Sequence, residues 1–137
     1  MTNLKIIIAP DPRLLEVSKP VMEIDQDVKI LLKDMLETMY NSNGIGLAAP
    51  QIGILKRLVV MDCSDQNTKK NPMKFVNPEI LNFSSELSEF EEGCLSLPTQ
   101  YAKVERPNKG TVIPIIKRPI PLRVSDTATA FKPPKIA

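Results

Sequence analysis

The chain has 137 residues, 42% of them apolar, which suits one domain around a single hydrophobic core and leaves too little length for two. Aromatic residues make up only 4% and Trp is absent, so the core must be aliphatic, and the aromatic platforms that single-strand nucleic-acid binders stack bases on are scarce. The net charge of +2 is unevenly placed: residues 1–109 carry 13 basic against 15 acidic side chains, whereas beyond Gly110 five basic residues face Asp126 alone.

In chain order, Ile6, Ile7 and Ile8 read as a short buried segment that ends in a turn, because Pro10, Asp11 and Pro12 interrupt any periodic structure. This opening is too short and too polar for a signal peptide, and no later apolar run approaches the ~20 residues of a membrane span. No membrane partner is expected. Over residues 27–40 the apolar positions Val28, Leu31, Leu32, Met35, Leu36 and Met39 recur at the helical period. Asp25 is the expected N-cap, and Asn41, Ser42, Asn43 and Gly44 end the helix with residues that tolerate a left-handed backbone. Lys33 and Glu37 lie one turn apart on its polar face.

Leu58, Val59, Val60 and Met61 form a β-branched apolar run that reads as a buried strand. Phe75 and Val76, residues 80–83 and residues 88–92 read as further short strands, separated by Asn, Ser and Pro. Residues 101–106 alternate, with Ala102 and Val104 on one side and Tyr101, Lys103 and Glu105 on the other. One helix on several short, mainly antiparallel strands predicts an α+β fold without internal repeats. Composition changes near Gly110, after which the chain has no Glu, Asn or Gln and has prolines at 114, 119, 121, 133 and 134. Two parts are therefore expected: a domain over 1–109, and a Pro-rich basic tail over 110–137 that is either disordered or frameshifted. The tail lacks an amphipathic stripe and aromatic anchors, so a nucleic-acid or membrane tether has little support and no direct nucleic-acid signal is read.

Cys63 and Cys94 lie 31 positions apart with no framework of other cysteines, a usage that fits reduced thiols in the cytoplasm. Cys63, at the end of an apolar run, reads as simple packing. Cys94 on its own reads the same way, but it follows Glu91, Glu92 and Gly93 at a bend, where a thiolate could point into a cleft. Gly44 and Gly46 lack the third glycine and the Lys-Ser/Thr of a phosphate loop, and alone they read as a tight turn requiring positive φ. The small residues that follow would allow close backbone approach, and Gln51 offers an amide donor.

Gly44, Gly46, Leu47, Ala48, Ala49 and Gln51 match every fixed position of the pattern Gly-x-Gly-Leu-Ala-Ala-x-Gln, and residues 92–96 match Glu-Gly-Cys-Leu-Ser. With the helix before the first block and the opening Pro10-Asp11-Pro12-Arg13-Leu14, the chain resembles the peptide deformylase family from about residue 4 to about residue 109. The resemblance implies a hydrolase that removes the N-formyl group from the initiator Met of nascent bacterial or organellar chains. Its partners would be formyl-Met peptides and the ribosome, and a monomer is expected. By the same resemblance Cys94 is a thiolate ligand of a divalent metal, Fe2+ with Zn2+ or Ni2+ able to replace it. Gln51 and the backbone amide of Leu95 are implied as the oxyanion donors, and Ile45, Gly46 and Gly93 as the groove in which the substrate lies as an added strand. Glu92 and Arg106 are implied as an ion pair that holds the bend.

That family completes its metal site with His-Glu-x-x-His on a helix, whose two His at i and i+4 share one face. This sequence contains no His. A catalytic metal normally keeps three protein ligands and one open position, so Cys94 alone is not expected to retain it. The expectation is a deformylase-like fold lacking the metal-bearing C-terminal helix, and a chain without activity that represents a frameshifted or truncated reading of a normal gene. The alternative, from another class, is a degenerate peptide-binding module that keeps the groove without the metal.

Overall fold

A computed structural model of the chain describes residues 3–65, 67–114 and 129–131. The helix α1 spans Gln26–Asn41. Asp25 caps it as expected, its Oδ1 accepting from the Val28 N–H at 2.8 Å, and Asp27 places a negative charge in the first turn. At the other end the Gly44 N–H donates to Met39 O at 2.9 Å. The apolar stripe Val28, Leu32, Met35, Leu36 and Met39 is buried.

That stripe lies on an antiparallel sheet of β1 (Gly46–Ala48), β2 (Leu58–Met61) and β3 (Met73–Val76), in the order β1-β2-β3. Leu47 pairs with Val60 and Leu58 with Val76, and these four join the helix stripe in one core cluster with Val21 and Ala49. Each of the Val, Leu and Met side chains contributes roughly 1.5–3 kcal/mol by leaving water. Two of the buried polar side chains, Asn77 and Thr38, tie other segments to this core. Asn77 accepts from the Val21 N–H and donates to Val21 O, both at 2.7 Å, and Thr38 Oγ1 accepts from the Leu4 N–H at 3.0 Å.

The described residues after Val76 are nearly all strand. β4 (Pro78–Phe83) pairs with β7 (Gly110–Pro114), which pairs with β8 (Thr129–Phe131), while β5 (Leu87–Cys94) and β6 (Leu97–Pro107) form a separate hairpin. All these pairings are antiparallel, and the fold is α+β. The composition change near Gly110 coincides with the start of β7. Apart from β7 and β8, the tail beyond Gly110 lies outside the described residues. Among the described residues no helix is long and apolar enough to cross a membrane.

Two local expectations need correction. Of the three isoleucines at 6–8 only Ile7 is buried, and Ile8 is 53% exposed, because extended backbone sends alternate side chains to opposite faces. The positive φ ahead of β1 falls on Asn43 (54°) rather than on Gly44 or Gly46. Gly44 is required for a different reason: a Cβ there would lie 2.7 Å from Leu95 Cδ1, so the absence of a side chain lets the two sequence blocks touch.

Candidate functional site

Strand β1 is the end strand of its sheet. Ile45 O accepts from the Asp62 N–H at 2.9 Å, so the peptide groups of Ile45 and Leu47 face β2, and alternation turns those of Gly46 and Ala48 to the open edge. The Ala48 N–H is taken up by Gln51 Oε1 at 2.9 Å. With its oxygen so engaged, the Gln51 amide presents Nε2 to Cys94 Sγ and to Ser96 Oγ, each at 3.5 Å.

Gln51 lies in a single 3-10 turn, Ala49–Ile52, that follows β1 directly. Facing it, β5 ends at Cys94, Leu95 and Ser96 make the turn, and β6 begins at Leu97. Cys94 pairs with Leu97 but Gly93 pairs with Tyr101, so residues 98–100 are additional on the β6 side, and Thr99 takes φ 65° within them. A Cβ on Gly93 would lie 2.7 Å from the exposed Tyr101 ring, so a side chain there would displace the ring. Between β1 and this hairpin is a cavity of about 480 Å³, lined by residues 43–46, Gln51, residues 93–95 and residues 97–101. Ile45, Gly46, Gln51, Gly93, Cys94 and Leu95 thus border one space.

A contact that the sequence did not suggest joins the two blocks. The Ile7 N–H donates to Gln51 O at 2.8 Å, and the Ala9 N–H donates to Ser96 O at 2.9 Å. The residues from Ile7 to Ala9 form a strap whose main chain holds the turn bearing Gln51 against the turn after Cys94. No local signal in the isoleucine run indicates it, since the donors are backbone groups.

Glu92 and Arg106 form a bidentate pair, with both N–H···O distances at 2.7 Å. They reach across the Phe90–Val104 row of the hairpin, on its half-buried face. The Arg106 guanidinium holds the Glu92 carboxyl below its ordinary value and is itself raised by it. Cys94 is exposed. Burial, then the nearby Asp62 charge, pushes the half-buried Cys63 thiol up, consistent with a packing role.

The donor set around Cys94 is Gln51 and Ser96, neither of which supplies an anionic or imidazole ligand. Among the described residues no three His, Cys, Asp or Glu side chains converge to hold a metal ion, and the sequence has no His. These residues do not fit a catalytic metal, which requires two further protein ligands beside the thiolate.

Fold and cavity together define an α+β protein with an open strand edge beside an amide donor and a thiol. The sequence matches the family model described as polypeptide deformylase over residues 3–113, and the chain belongs to that family. It is 54% identical over 112 residues to the peptide deformylase of Rhizobium meliloti, covering 82% of this chain and 64% of that protein. The peptide deformylase of Agrobacterium fabrum is 51% identical over 112 residues, covering 82% and 66%. The chain therefore spans slightly under two thirds of the length of these relatives. Among solved structures, the peptide deformylase of Thermotoga maritima superposes with a TM-score of 0.76 at 39% identity, covering 82% of this chain and 73% of that one. The Met-Ala-Ser-bound class I type b enzyme of Acinetobacter baumannii gives 0.75 at 34% identity, covering 81% and 75%.

Proposed function

We propose that this chain binds the formyl-Met end of a nascent peptide along the open edge of β1, and that its 137 residues alone do not hydrolyse it. The family reaction is metal-dependent hydrolysis of the N-formyl group from the initiator Met. The observation that carries the binding half is the orientation of Gln51: its oxygen is consumed by Ala48, so its N–H faces the cavity beside Cys94. In this reading Gly46 offers its N–H and C=O to the peptide backbone as a neighbouring strand would, and Ile45 and Gly93 flank the bound residue. Gln51 Nε2 and the Leu95 N–H are the donors assigned to the formyl oxygen. The related Acinetobacter baumannii structure bound to Met-Ala-Ser supports a peptide ligand.

The family's metal, Fe2+ with Zn2+ or Ni2+ as substitutes, would activate water. Among the described residues Cys94 is the single ligand placed at the cavity for it, and we infer that the metal is not retained. The ligand source would be chains emerging from the ribosome in the cytoplasm, met by a monomer. Under anaerobic conditions with Fe(II) or Ni(II), the purified chain should bind a labelled formyl-Met-Ala-Ser peptide and release formate only at background. Turnover that disappears in Cys94→Ala would overturn the inactive reading. A wild-type chain that binds neither this peptide nor its des-formyl form would overturn the groove.

A further inference from the structure

Asp62 is the single buried ionisable side chain in the core of the described residues, and the groove chemistry does not use it; it is 5% exposed. Its carboxylate accepts from Tyr40 Oη at 2.6 Å, from the Ser64 N–H at 2.9 Å and from the Asn71 N–H at 3.1 Å. Burying a charge is costly, and an apolar residue of similar size often serves stability as well as or better than a buried ionic group. The three donors that converge on Asp62 therefore point to a role other than filling the core.

Its connections indicate which. The Asp62 N–H holds Ile45 O at 2.9 Å, and its side chain holds Tyr40 in the last turn of α1. Next to Tyr40, Met39 O holds the Gly44 N–H at 2.9 Å. These bonds close a ring around the turn that leads from α1 into β1. Lys70 Nζ lies over the Tyr40 ring, 4.1 Å from its centre. Strand β1 is only three residues long, so its ladder alone fixes its edge poorly, and the ring supplies the anchor immediately ahead of Gly46.

We propose that Tyr40 and Asp62 are positioning residues that set the open Gly46 edge and so control peptide affinity without touching the peptide. This rests on the groove reading given above, and the test separates the two. In the full 137-residue chain, Tyr40→Phe should weaken binding of labelled formyl-Met-Ala-Ser about tenfold at a temperature where circular dichroism is unchanged. Asp62→Asn should do the same. Val76→Ala, which loosens the core on the far side of β2, should lower the melting temperature and leave affinity alone. Equal affinity in wild type and Tyr40→Phe would overturn the proposal. If the wild type itself binds no peptide, the groove reading fails, and amide hydrogen exchange decides on the anchor. Exchange at the Asp62 N–H, which bonds Ile45, should then rise at least tenfold in Tyr40→Phe relative to the Val60 N–H. An unchanged ratio would overturn it.

Discussion

The Ala48 N–H and Gln51 Oε1 are 2.9 Å apart, and this one hydrogen bond decides which end of the Gln51 amide faces Cys94. Gln51→Ala should therefore weaken formyl-Met-Ala-Ser binding about 2- to 12-fold, the range of one net hydrogen bond, and leave binding of the des-formyl peptide unchanged. Paired titrations by fluorescence anisotropy check this. An equal loss for both peptides would make Gln51 a wall of the groove rather than a donor to the formyl oxygen.

Glycines 44 and 93 should respond differently to a methyl group. At Gly93 the added Cβ meets the Tyr101 ring, which is 71% exposed and free to swing outward, so Gly93→Ala should change stability by less than about 1 kcal/mol while narrowing or reshaping the groove. At Gly44 it meets Leu95, whose side chain packs against the core, and Gly44→Ala should cost about 1–3 kcal/mol. Urea melts of the two variants distinguish the cases.

The Glu92–Arg106 pair is bidentate but partly exposed, and solvent screening limits it. A double-mutant cycle with Glu92→Gln and Arg106→Met should give a coupling of about 0.5–1 kcal/mol at pH 7. Because Arg106 depresses the Glu92 pKa, the contribution is complete above the unfolded carboxyl value and falls away as pH drops through the folded one. The coupling measured at pH 3 should accordingly be smaller, and 0.5 M salt should reduce it at pH 7.

Burial raises the Asp62 carboxyl, but hydrogen bonds from Ser64, Tyr40 and Asn71 outweigh it and bring the pKa to about 2. Burial and then Asp62 itself push the Tyr40 phenol up to about 12. The folded state thus favours carboxylate and neutral phenol. The Asp62 contribution should be lost as pH falls from about 3.8 towards about 2, and the Tyr40 contribution as pH rises from about 10 towards about 12. Cys63 also titrates beside Asp62, so the alkaline limb is best read as the difference between wild type and Tyr40→Phe.

The family match ends at residue 113, close to the change in composition. Of the two expectations for the tail, disordered or frameshifted, the second can be tested. Translating the same DNA in the other frames downstream of that codon should then reveal His-Glu-x-x-His. Open frames without the motif would favour a binding module that has lost it.

What is legible in the sequence is local. The α1 stripe and its Asp25 cap follow from a helical period and a capping residue, and β2 from a β-branched run. The clustering of Ile45, Gln51 and Cys94 is legible only through the resemblance, because they lie on separate elements. Three features have no local signal: β1 looks like a glycine turn, the strap uses main-chain donors of Ile7 and Ala9, and Asp62 looks like the polar end of a strand. Each depends on a partner distant in sequence, which neither periodicity nor propensity encodes.

The strap also imposes an order of events during synthesis. Ala9 leaves the ribosome well before its acceptor Ser96, which follows the entire α1–β3 unit and the first strand of the hairpin. Helix and sheet can condense before Ala9 is committed, since every buried member of their shared core lies at or before Val76. The cavity acquires its second wall only when Ser96 arrives to meet Ala9. A nascent chain stalled before that codon would hold its buried core beside an unformed groove, and limited proteolysis would cut it near Ala9.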